Sequence, residues 1–152
     1  MLQRLRERAG SESGFTLVEL LVVMLILGIL AAIAIPAFFN QRNKATDAQA
    51  KVAARTAETS METYATGSNG SYVGATPAAL VAIEPTLQTS GNNAITVTGT
   101  GGTGSPTATA YRVTSTSATT DTFSIDRNGG TITFICTPTG ANGCPTSGNW
   151  SS

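Results

Sequence analysis

The stretch GFTLVELLVVMLILGILAAIAIPAFF, Gly14 to Phe39, limits what this chain can fold into more than any other part of it. After Phe15 the only ionisable side chain before Arg42 is Glu19. Phe15 to Ile35 alone supplies 21 residues, or roughly 31 Å of helix at about 1.5 Å per residue, which is enough to cross the hydrocarbon core of a bilayer. A carboxylate has no structural reason to sit in such a run, because ionisable groups are costly in a membrane and mark function by default. Glu19 lies one turn in, roughly 6 Å along the helix from Phe15, so it can reach the interface at moderate cost.

Hydropathy alone leaves two ordinary explanations, a plain membrane anchor with the rest of the chain outside and a secretory signal peptide cut at Ala32, Ile33 and Ala34. The second fits poorly, since a signal core spans about 7 to 15 residues and would not carry a glutamate at its head. The residues Gly14, Phe15, Thr16, Leu17, Val18 and Glu19 resemble the processing signature of type IV prepilins and the related pseudopilins of type II secretion. The resemblance continues through Gly28 and Pro36 and weakens past Tyr64. It implies cleavage between Gly14 and Phe15 by a membrane aspartyl peptidase and methylation of the new amine on Phe15. It further implies a part for Glu19 in subunit assembly, by neutralising a neighbour's amine, and a helix that loosens between Gly28 and Pro36 during packing into a filament. Intrinsic cost also points to a kink near Pro36, because proline in a helix interior costs about 3 kcal/mol and removes a hydrogen bond, although glycine and proline are simply commoner in membrane helices.

Residues 1 to 14, MLQRLRERAGSESG, are accordingly expected to be a cleaved leader. Arg4, Arg6 and Arg8 should remain cytoplasmic and leave the C-terminal part outside. The chain carries 9 basic and 9 acidic side chains; without the leader, which takes three arginines and two glutamates, 6 basic and 7 acidic remain, a net charge of −1. That balance argues against general affinity for nucleic acid. With no histidine and two cysteines, no catalytic or metal constellation and no cofactor is expected.

From Asn40 the polarity changes, yet helical signals persist to Ala65 without proline or glycine. Ala50, Ala53, Ala57, Met61 and Tyr64 form one apolar stripe, and Asp47 with Lys51 and Arg55 with Glu58 are placed to pair along the helix. Lys44, Lys51 and Arg55 could form a basic face for lipid headgroups or DNA, though a solvated face is the simpler reading. Residues 15–39 and 40–66 thus read as one helix, hydrophobic then amphipathic. The sequence GSNG from Gly67 ends it, and Thr76 with Pro77 starts a short helix reaching Ile83. Four strands are expected at Ala94–Thr98, Ala110–Ser115, Thr122–Asp126 and Thr131–Cys136, with Asn128, Gly129 and Gly130 turning the last hairpin. The stretch GTGGTGSPT from Gly99 reads as a mobile surface loop; it lacks the lysine and strand-to-helix setting of a phosphate-binding loop.

Cys136 and Cys144 flank a short segment near the chain's end. In an exported domain with a small core a disulfide is the expected use, with metal or redox chemistry the weaker alternative. Such a C-terminal disulfide region also resembles many type IV pilins and is usually missing from major pseudopilins. The expected fold is therefore α+β, a long N-terminal helix packed on a small antiparallel sheet of about four strands, with residues 67–152 as the β-rich head. The expected function is structural, a non-enzymatic pilus subunit whose partners are itself, the cytoplasmic membrane before assembly, the prepilin peptidase and the pilus or secretion machinery. The alternatives are a type II secretion pseudopilin or competence pilin, and, from another class, a membrane-anchored extracellular binding module.

Overall fold

The computed structural model describes residues 14–151, and the chain divides into two units at Phe39/Asn40. The leader, with Arg4, Arg6 and Arg8, falls outside the described residues apart from Gly14. Helix α1, Leu17–Gly67, is 51 residues long and continues unbroken through Gly28 and Pro36. Its apolar part up to Phe39 is long enough to cross a membrane, and every side chain in it is exposed.

In the second unit α1 is followed by α2 (Pro77–Ile83) and strands β1 (Ala94–Thr98), β2 (Ala110–Thr116), β3 (Thr122–Asn128) and β4 (Thr131–Thr137). The strands form one antiparallel sheet in the order β1-β2-β3-β4, a meander in which each strand pairs with the one before it. Asn128 pairs with Thr131 across Gly129 and Gly130, and the positive φ of 59° falls on Gly129, the first turn position, as a II′ turn asks. Thr76 caps α2 by accepting from Ala79 N at 3.2 Å, with Pro77 at the first helical position.

Period-2 alternation sends Ile95, Tyr111, Val113, Phe123, Ile125 and Cys136 into the core and places Thr96, Thr98, Thr114, Thr122 and Thr137 opposite them on the outer face. Helix α1 meets that core with Ala50, Ala54, Ala57, Met61 and Ala65. The stripe is shifted by one residue at Ala53 and Tyr64, which are half-buried, because Ala54 and Ala65 continue the 3.6-residue period in phase with Ala57 and Met61. Trp150 closes the core edge-on to Phe123 and Phe134, its indole N–H donating to the carbonyls of Ile135 at 2.9 Å and Ser124 at 3.1 Å.

The glycine-rich stretch expected as a mobile surface loop lies at the surface, with residues 101–105 exposed, and folds back on itself. Thr100–Gly102 forms a 3₁₀ turn, Gly99 N donates to Gly104 O at 3.1 Å, and Gly101 N donates to Asp126 Oδ2 at 3.3 Å, tying the segment to the sheet. A side chain at Gly99 would stand 2.5 Å from the Thr103 carbonyl oxygen, so the fold-back needs glycine there.

Candidate functional site

The N-terminal end of α1 carries the residues that the motif singles out, and they interlock locally. Thr16 is the cap residue and Glu19 stands three positions on, the spacing of a capping box. Glu19 N donates to Thr16 Oγ1 at 3.2 Å, while Thr16 N and Thr16 Oγ1 donate to Glu19 Oε2 at 2.9 and 2.8 Å. Both donors fall on one carboxylate oxygen, and Oε1 has no hydrogen-bond partner within the described residues. Gly14 and Phe15 precede the helix outside regular secondary structure, exposed, with nothing among the described residues within 4 Å of where a Cβ on Gly14 would stand.

A second constellation, in the other unit, docks the C-terminal loop on α1. Cys136 and Cys144 are joined by a disulfide with their Cα atoms 5.7 Å apart, and the chain has no free cysteine. Asp47, fully buried on α1, accepts from Gly143 N at 2.8 Å through Oδ2 and from the Thr119 hydroxyl through Oδ1. Lys51 Nζ donates to Gly143 O at 2.7 Å and lies 5.2 Å from the Phe123 ring centroid. Asn142 donates to Asp121 Oδ2 at 3.0 Å and accepts from Asn43 Nδ2 at 3.3 Å. The expected helix pairs are thereby corrected, since neither Asp47–Lys51 nor Arg55–Glu58 is among the ion pairs of the described residues. Asp47 and Lys51 both turn to Gly143, and the Arg55 guanidinium stacks over Phe134 and Trp150, where a planar cation gains from aromatic faces.

One turn before the helix ends, Glu62 accepts from Tyr111 Oη at 2.9 Å, Tyr72 Oη at 2.9 Å and Arg127 Nη1 at 2.8 Å. Burial, reinforced by the hydrogen bond to Glu62, pushes the Tyr111 hydroxyl far above its ordinary value and raises Tyr72 in the same sense. Both phenols stay protonated donors. Glu58 is raised first by burial and then by the Glu62 charge, against Arg55 and Arg127.

Asp121 is raised chiefly by its burial, with the Asp47 charge adding to the effect and the Asn142 hydrogen bond opposing it. A carboxyl whose folded value lies above its unfolded one contributes stability that is complete below the ordinary aspartate value, about 3.9, and is lost as pH rises through the folded value. Asp121→Asn keeps an acceptor for Asn142 and removes the like charge. Melting of the full chain in detergent should therefore show a higher Tm for the variant at neutral pH and a smaller difference below about pH 3.9; an equal gain at both pH values would mean that charge is not the cause.

Sequence reasoning set Asp47 on a polar face with Lys51, put Glu62 on a polar face without a partner, and passed over Trp150. Asp47 had a readable signal, since it stands three residues before Ala50 on the same helical face and so belonged to the buried stripe.

The class of protein that these features define is a subunit with a membrane-length helix, a processing motif at its start and a disulfide-closed β-sheet head. The family model described as the prokaryotic N-terminal methylation motif matches residues 10–35. A type IV major pilin protein, PilA, of Myxococcus xanthus is 54% identical over 43 residues, which is 27% of this chain and 20% of that protein. The match thus spans about a fifth of the length of that curated relative. No solved structure matches. Over its N-terminal part the chain is thus similar to type IV pilins, and the α+β architecture of a long N-terminal helix with a four-stranded antiparallel sheet is compatible with that likeness.

Proposed function

We propose that this chain is the building subunit of a type IV pilus. It is cut after Gly14, methylated on Phe15, held by residues 15–39 in the cytoplasmic membrane with residues 67–152 outside, and then polymerised through α1 into a surface filament. One observation carries the reading: the helix beside the methylation motif has its whole apolar part, Leu17 to Phe39, exposed among the described residues. Such a surface is stable in lipid or against copies of itself, and a helical polymer repeats one heterologous contact without closing. In that contact Glu19 Oε1, without a hydrogen-bond partner among the described residues, accepts a hydrogen bond from the methylated amine of an incoming subunit. Gly28 and Pro36 supply the local loosening; among the described residues no packing contact lies within 4 Å of a Cβ built on Gly28, so packing there does not demand glycine. The disulfide-closed C-terminal loop supports a pilin over a pseudopilin. The prepilin peptidase and an assembly machine are the partners that this route requires.

Processing is the direct test. A Cβ on Gly14 would meet no atom within 4 Å among the described residues, so Gly14→Leu is expected to leave the fold alone and act on the peptidase site. The expected result is membrane-held precursor that retains all 14 leader residues, with no methylated Phe15 in its terminal peptide. A wild-type N-terminus at Ile35 would instead show signal-peptidase cleavage and overturn the pilin reading.

A further inference from the structure

The chain contains three Asn-Gly pairs, Asn69–Gly70, Asn128–Gly129 and Asn142–Gly143. Asn-Gly is the dipeptide most prone to deamidation, because glycine places no side chain in the way of its own nitrogen. That nitrogen attacks the asparagine Cγ, a C–N bond forms, the bond to the side-chain nitrogen breaks and ammonia leaves; water then opens the succinimide to aspartate or isoaspartate. The attacking nitrogen must first lose its proton, so a hydrogen bond from it to a good acceptor holds the reaction back. All three glycine amides are held in this way. Gly70 N donates to Ala65 O at 2.8 Å and Gly129 N to Thr109 O at 2.9 Å, both within the backbone framework of helix end and hairpin. Gly143 N depends instead on a single side chain, the Asp47 carboxylate at 2.8 Å, and a charged acceptor holds a proton more firmly than a carbonyl does.

Geometry explains why so vulnerable a pair occupies this position. A Cβ on Gly143 would lie 2.7 Å from Asp47 Cβ, so only glycine lets the loop seat on α1, and Asn142 adopts a positive φ of 43°, which asparagine tolerates best among residues with a side chain. The Asn142 amide is itself pinned between Asp121 and Asn43. We propose that Asn142–Gly143 is a latent deamidation site that Asp47 keeps closed while the disulfide loop is docked on α1. When the loop undocks, the amide is released, and hydrolysis leaves a third carboxylate where Asn142 donated to Asp121, beside Asp47. Two like charges then face a third without the Asn142 donor that had bridged to Asp121, so redocking is opposed and the undocking becomes irreversible.

Peptide mapping by mass spectrometry of the full-length chain in detergent, aged in mildly alkaline buffer, tests this with Asn69 and Asn128 as internal references. In the native chain Asn142 should deamidate about tenfold or more slowly than in the urea-unfolded, reduced chain, and Asp47→Ala should raise the Asn142 rate by about tenfold while the other two stay at their native rates, as expected for loss of one hydrogen bond to a charged acceptor. Should Asp47→Ala accelerate all three sites, the variant has unfolded, and Thr119→Val, which loosens Asp47 without removing it, decides the matter. Acceleration confined to Asn142 supports the gate. An Asn142 rate in the native chain equal to the unfolded one, an Asp47→Ala chain as stable at Asn142 as wild type, or a Thr119→Val chain with all three sites accelerated or none, overturns it.

Discussion

Glu19→Ala is expected to leave the chain inserted and cut after Gly14 while abolishing filaments. Inside the subunit the carboxylate completes the Thr16 capping box, and loss of a helix cap costs on the order of 1 kcal/mol. That is too little to expel a helix with 21 apolar-run residues from a bilayer. Between subunits the stakes are larger, because an amine left unpaired in a dry helical bundle costs several kcal/mol, and roughly 4 kcal/mol is about a thousandfold in an assembly equilibrium. Glu19→Gln separates the two roles. Glutamine keeps the reciprocal bonds of the capping box but brings no charge. Filament yield in sheared material should collapse for Glu19→Gln as it does for Glu19→Ala. Wild-type yield and helical rise from Glu19→Gln subunits would show that capping suffices and that charge pairing between copies has no part in assembly.

The disulfide carries the second large effect. Reduction, or Cys136→Ser with Cys144→Ser, should lower the melting temperature of the full chain in detergent. Loop entropy alone gives about 2.5 kcal/mol for a separation of 8 residues, or roughly 10 °C for a head of this size. The loop's attachments to α1 add to the loss, since Gly143 anchors both Asp47 and Lys51, and Asn142 bridges Asp121 to Asn43. Undocking takes the Gly143 backbone donor from the Asp47 carboxylate and leaves it the Thr119 hydroxyl alone, and losing a hydrogen bond to a charged acceptor is costly. An unchanged Tm after reduction would mean that the loop is stably seated without its covalent tie.

Much of this architecture was legible because it is written in short-range pattern. Apolar run, Thr76–Pro77 and the Gly129–Gly130 turn are local signals, and the four strands begin where β-branched alternation begins. Partner choice was not legible. Local rules paired Asp47 with Lys51 and Arg55 with Glu58 because those residues are neighbours along a helix. The sheet and the C-terminal loop instead claim them across 92 and 96 residues of sequence in the case of Lys51 and Asp47. A side chain on a buried face answers to whatever packs over it, and chain proximity says nothing about that. The one-residue shift from Ala53 to Ala54 has the same origin, since the phase of a 3.6-residue stripe is set by the surface that it meets. The Thr16–Glu19 box, by contrast, was fully present in the sequence as a threonine with glutamate three positions on, a pattern overshadowed by the processing motif that contains it.

Electron microscopy of material sheared from the cells that make this chain, with mass spectrometry of its subunit, addresses the central claim. The account predicts long filaments composed mainly of this chain, each copy beginning at a methylated Phe15 and containing the Cys136–Cys144 bond. Sheared material without filaments, with the chain retained in the membrane as a monomer, would contradict it.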